Sequence, residues 1–160
     1  MLTHPYWGTV TEDWSGLAAE QPITLPFFEK EISVFLGEEL FEEEEEYNLT
    51  PAQLDEYADT MRAFLDQTPI LVAEIKQKTF EYYLQLYAHH YEDPTQSGAP
   101  ALGLTTAEQH FPYLQNVAYL RVTDGHTLRL SIHYGLDSEH GLEILFVDNA
   151  LVAIGGIADT

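Results

Sequence analysis

The spacing of hydrophobic residues changes at Val117 from helical to alternating, and that change sets the fold class. Leu54, Tyr57, Ala58, Met61 and Leu65 recur at helical intervals, as do Val72, Ile75, Thr79, Tyr82, Tyr83 and Leu86, whereas from Val117 onward apolar and polar residues alternate. A helix brings every third or fourth residue to one face and a strand every second, so the centre predicts helices and the C-terminal part predicts a sheet with one buried face. The expected class is α+β.

Local signals place the boundaries. Thr50 is suited to cap a helix, Pro51 to its first position, Gln53 to closing a capping box, and Leu49 to stapling against Leu54. That helix is expected to end near Gln67, with Pro69 starting a second that runs from Ile70 to about Tyr91, because proline lacks the N–H an interior helical position needs. The short connection predicts an antiparallel helical hairpin. Residues 92–104 then form a loop, and Thr105-Thr106-Ala107-Glu108 caps a short helix stopped near Pro112. Before the helices, Tyr6 to Thr11 and Glu31 to Leu36 read as N-terminal strands.

Alternation continues through Val117 to Thr123, Thr127 to Tyr134, Leu142 to Val147 and Ala150 to Ile154, predicting an antiparallel meander of about four strands packed on the helices. A three-residue Asp124-Gly125-His126 loop would set Ala118, Leu120 and Val122 opposite Ile132, Leu130 and Leu128. That register is preferred to a two-residue loop because it keeps one face apolar. Asp148-Asn149 should form the last hairpin turn.

The 160 residues, 45% hydrophobic and 12% aromatic, suffice for one core, so a single domain over residues 1–160 is expected. Ten Tyr, eight Phe and two Trp distinguish the chain from a disordered acidic segment. With 27 acidic and 6 basic residues the net charge is −21, which repels nucleic acid and acidic lipid and attracts a basic protein. No run approaches the ~20 apolar residues that span a bilayer, and Met1 to Trp7 lacks the features of a leader, so a cytoplasmic location is expected. The absence of cysteine excludes disulfides and thiolate metal sites.

Three groups of residues are candidates for function. Seven glutamates between Glu38 and Tyr47 repel one another and predict an exposed loop. Within it, Glu42, Glu43, Glu44, Glu45 and Glu46, flanked by Phe41 and Tyr47, combine polyanionic charge with aromatic anchors, as a partner-binding surface would. Tyr119, Arg121, Arg129, Ser131 and His133 fall on the polar face of the meander, either as a recognition patch or as cations neutralised by the chain's own acids. Asp137, Glu139 and His140, with His133, have side chains suited to a divalent cation or to acid–base work. Their simpler role is to hydrogen-bond the backbone in the bend before Gly141. His89 and His90 are adjacent on a helix and diverge by roughly 100 degrees, which disfavours a shared metal. The chain has no Gly-x-Ser-x-Gly elbow, glycine-rich phosphate loop or His-Glu-x-x-His helix. No enzyme, cofactor or metal is expected.

The segment Asp137-Ser138-Glu139-His140-Gly141-Leu142-Glu143-Ile144, followed by Phe146, Asp148 and Val152-Ala153-Ile154-Gly155, resembles the C-terminal signature of a group of small acidic bacterial proteins of unknown function. Members of that group are often immunity proteins of polymorphic toxin systems. The strand from Pro26 to Phe35 and the central helices resemble it too; Leu136, where an aromatic is usual, and Asn149-Ala150 depart from it. The resemblance implies a helical layer against a C-terminal sheet, a binding function and no catalytic residue. The resulting expectation is an immunity-type inhibitor that occludes the active site of a basic toxin. The alternatives are a metal-dependent or hydrolytic enzyme at His133, Asp137, Glu139 and His140, or an acidic scaffold with no toxin partner.

Overall fold

In a computed structural model, which describes residues 2–14, 16–26, 28–38 and 49–157, eight strands form one mixed sheet whose spatial order equals their order in the chain. The strands are β1 (Leu2–His4), β2 (Gly8–Asp13), β3 (Gly16–Ala18), β4 (Val34–Leu36), β5 (Val117–Thr123), β6 (Thr127–Ile132), β7 (Leu142–Val147) and β8 (Ala150–Gly155). Every neighbouring pair is antiparallel except β4 and β5. Parallel neighbours need a long crossover, and residues 37–116 supply it with the helix α1 (Pro51–Leu86) and the short helices α2 (Ala88–Tyr91), α3 (Pro94–Ser97) and α4 (Ala107–His110). The last four strands do pair in sequence. They are not the separate four-stranded meander expected, however, but half of a larger sheet that takes in the N-terminal strands through β4.

The helical hairpin is replaced by one helix. α1 runs for 36 residues, with Pro69 inside it. A proline there deprives the carbonyl four residues earlier of its donor and costs about 3 kcal/mol, but buried residues on both sides repay it. Tyr57, Met61 and Phe64 precede the proline, and Leu71, Val72, Ile75 and Tyr83 follow it, all within one hydrophobic core. Pro69 itself is exposed, so its ring meets solvent rather than the sheet. The N-terminus of α1 forms as its residues dictate: Thr50 Oγ1 accepts from the Gln53 N–H at 3.1 Å, and the Gln53 side chain accepts from the Thr50 N–H at 2.9 Å. The C-terminus comes earlier than expected, at Leu86, and α2 follows. The second capping box is displaced by one residue, since Thr106 caps α4 and Gln109 answers it.

The register of β5 and β6 sets Leu120 opposite Leu130 and Val122 opposite Leu128, across the three-residue Asp124-Gly125-His126 loop. One partner differs. A bulge at Ala118 places Val117, not Ala118, opposite Ile132, and so turns a larger side chain toward the core. β6 ends at Ile132 rather than Tyr134. Asp148 and Asn149 take φ of 50° and 65°, the left-handed pair that a two-residue hairpin turn requires. Val34, Leu36, Leu120, Val122, Leu130 and Ile144 line the sheet face toward α1, where Phe64 meets Phe146 edge-on with centroids 5.1 Å apart.

Continuity of α1 through position 69 has a direct test. Pro69→Ala should restore the missing bond and stabilise the protein by about 1–3 kcal/mol, seen as a higher urea midpoint. A lower midpoint would mean that the chain turns there.

Candidate functional site: the far face of the sheet and the signature turn

The glutamate run and its aromatic flanks, Phe41, Glu42, Glu43, Glu44, Glu45, Glu46 and Tyr47, lie outside the described residues. Their attachment point is described. Gly37 sits against Leu49, since a Cβ added at Gly37 would lie 3.2 Å from a Leu49 methyl group. The Gly37 carbonyl accepts from Arg121 Nη1 at 2.7 Å. The two flanks of the segment are therefore held together at one end of the central β4–β5 pair.

From there a continuous set of side chains extends across the sheet face opposite α1. The register puts Phe35, Arg121, Arg129, Leu145 and Ala153 in one row, and Tyr119, Ser131, Glu143 and Gly155 in the next. The Arg121 guanidinium lies 5.2 Å from the centroid of Phe35 and 5.6 Å from that of Tyr119. Trp14, at the β2–β3 turn, meets both rings edge-on at 5.1 and 5.4 Å, yet remains 69% exposed. Arg121 and Arg129 stand directly opposite each other, an unfavourable placement that Glu143 answers: its carboxylate lies 3.4 Å from Arg129 Nε and accepts from Ser131 Oγ at 3.3 Å. The four residues Tyr119, Arg121, Arg129 and Ser131 do share a face. His133 lies beyond the end of β6, exposed, with its backbone N–H donating to the Asn116 carbonyl.

The signature segment forms a tight turn organised by Asp137. Its carboxylate accepts from the Tyr87 hydroxyl at 2.7 Å and from the His140 N–H at 3.1 Å, and it lies 3.0 Å from His140 Nδ1. Burial raises the Asp137 pKa, but these hydrogen bonds outweigh it and hold the group below the usual carboxylate range. The Asp137 carbonyl accepts from the Gly141 N–H. Gly141 has φ of 66°, and an added Cβ would come within 2.7 Å of Ile157 and 3.0 Å of the Ile132 carbonyl oxygen. Both conformation and space demand glycine. Glu139 points into solvent. Among the described residues no three His, Asp or Glu side chains gather in a way that would hold a metal ion, and His89 and His90 are both exposed.

Behind this turn lies a buried polar cluster that the sequence pattern did not single out. His110 is fully buried, with Nε2 2.6 Å from the Tyr134 hydroxyl and its ring stacked on Tyr83 at 5.3 Å. Its Nδ1 has no hydrogen-bond partner among the described residues. Tyr83 in turn donates to Glu92, which also accepts from the Gly103 and Leu104 N–H groups. The Tyr83 bond is the chief cause of the lowered Glu92 pKa. Tyr91 donates to the Leu136 carbonyl. Three tyrosines thus tie α1 and α2 to the loops on either side, and the signature turn is one of their anchors. Trp14 was likewise missed: the sequence pattern placed no turn after Thr11, and nothing in it marked that Trp14 packs on Phe35 and Tyr119.

The chain matches DUF6985, a domain of unknown function, over residues 6–159. It belongs to that family. The matched span takes in every element except β1. No curated protein and no solved structure matches the chain.

Two outcomes follow from this geometry. Burial pushes the His110 pKa down to about 4 from 6.5, so the folded state holds it neutral while the unfolded chain protonates it first. Its contribution, of order 3 kcal/mol, is complete above the unfolded value and is lost as pH falls from 6.5 through 4. The urea midpoint should therefore fall more steeply over that window than in a His110→Gln variant; parallel curves would contradict the assignment. Gly141→Ala should destabilise by about 2 kcal/mol or more, from the left-handed backbone and the contact with Ile157. An unchanged melting temperature would show that the turn is not constrained as described.

Proposed function

We propose that this DUF6985 protein is an immunity-type inhibitor. It binds a cognate toxin or effector domain in the cytoplasm and neutralises it by occluding a basic active-site surface. Such inhibition requires shape, charge and anchoring, and no chemistry from the inhibitor. The observation that carries the reading is the exposed Trp14, packed on Phe35 and Tyr119 and linked through Arg121 to Gly37, where the glutamate-rich segment attaches. Tryptophan, tyrosine and arginine are the residues that dominate binding energy at interfaces. The net charge of −21 supplies the long-range attraction to a basic partner.

The two features should separate kinetically. Charge outside the core of an interface acts mainly on association, and buried anchors act mainly on dissociation. The partner to test is the C-terminal domain encoded immediately upstream, first by calorimetry at low and moderate salt. Tight one-to-one binding that weakens with salt is expected. Replacing Glu42 to Glu46 by Gln should slow association about tenfold and flatten its salt dependence. Trp14→Ala should speed dissociation by about thirtyfold, corresponding to ~2 kcal/mol. No binding at either salt, or kinetics unchanged in both variants, would overturn the proposal.

A further inference from the structure

The two edges of the sheet differ in kind. β1 is three residues long, whereas β8, at the other edge, spans Ala150–Gly155 and contains neither charge nor proline. Among the described strands β8 pairs only with β7. Alternate N–H and C=O groups of β8 therefore point away from the sheet; of the devices that usually blunt such an edge, namely lysine, proline, a bulge or a covering element, the residues of β8 supply only a bulge, at Val152. Beside this edge runs a groove of roughly 370 Å³. Residues 151–154 of β8 form one wall, and Lys78, Glu81, Tyr82 and Gln85 of α1 form the other. Lys78 and Glu81 pair at 3.5 Å, leaving the wall near neutrality, and the Tyr82 ring supplies a surface for an apolar side chain.

Backbone chemistry says what fits such an edge: another extended strand. A second copy of this chain fits poorly. Antiparallel pairing of two identical strands places the symmetry axis near the middle of β8, and that is where Val152 forms a bulge, because Leu145 pairs with Ala153 while Phe146 pairs with Leu151. The two bulges would meet, and two chains of charge −21 would repel. A short basic segment brings no second bulge and no negative charge, and it can pair with β8 on either side of Val152. We propose that the β8 edge and the α1–β8 groove form a strand-addition site for a short extended segment of a basic protein, with alternate apolar side chains directed into the groove. The site is distinct from the far face that carries Trp14, and it holds whether or not the partner is a toxin.

The probe is a synthetic peptide of about nine residues alternating valine and lysine, compared with the same peptide N-methylated on alternate amides, which keeps the charge and removes one row of backbone donors. The unmodified peptide should bind the intact protein and slow amide exchange in β8 about tenfold, and N-methylation should weaken binding at least about tenfold. Val152→Lys, at a side chain 53% exposed, should weaken it similarly. Equal binding of the two peptides would reduce the effect to charge alone and overturn the site. So would no binding at about 1 mM, a concentration that should reveal even a weak strand addition. Exchange in β8 that slows with protein concentration and without peptide would assign the edge to a second copy instead.

Discussion

Three residues of parallel pairing, Val34–Leu36 against Leu120–Val122, join the two halves of the sheet. Because parallel neighbours cannot be linked by a tight turn, this pairing requires the chain between them to cross over the sheet, which α1 does by burying one stripe on its apolar face. The same pairing fixes what lies on the other face. With Leu36 opposite Val122, Phe35 falls beside Arg121, and the β2–β3 hairpin carries Trp14 onto both Phe35 and Tyr119. The pairing also delivers Gly37 to the Val122 carbonyl, and with it the start of the glutamate-rich segment.

The proposed binding role rests on what the sheet displays. The residues with the most chemically suggestive side chains are occupied in holding it together. Asp137 collects a tyrosine hydroxyl and a backbone N–H, Glu92 fastens Tyr83 to the loop at Gly103, and His110 is buried against Tyr134. The two basic residues at the centre of the far face are likewise engaged, Arg129 with Glu143 and Arg121 with the Gly37 carbonyl and two aromatic rings. What projects from that face is Trp14, on a chain whose net charge is −21.

Much of this was legible from local rules. The Thr50 capping box, the C-terminal strands, the Asp124 to His126 loop and the Asp148-Asn149 turn depend on neighbours in sequence, and local preference determines them. The failures came where tertiary packing overrides local preference. Pro69 reads as a break because its cost is local, while the burial that offsets it comes from residues on a distant sheet. Val117 was set one position out because a bulge leaves no mark in alternation. The parallel β4–β5 join was invisible, since nothing in Val34-Phe35-Leu36 names its partner some eighty residues on. Of the site, the shared face of Tyr119, Arg121, Arg129 and Ser131 followed from strand periodicity. Trp14 and His110 did not, because both owe their positions to contacts between elements.

Hydrogen exchange of the intact protein, with and without the domain encoded upstream, would map the surface in a single experiment. Protection concentrated at the β2–β3 turn around Trp14, at the Tyr119 to Arg121 stretch of β5 and at the flanks of the glutamate-rich segment is the expected result. Protection centred on the signature turn, with the Trp14 turn exchanging as fast as in the free protein, would contradict the assignment of the far face as the binding surface.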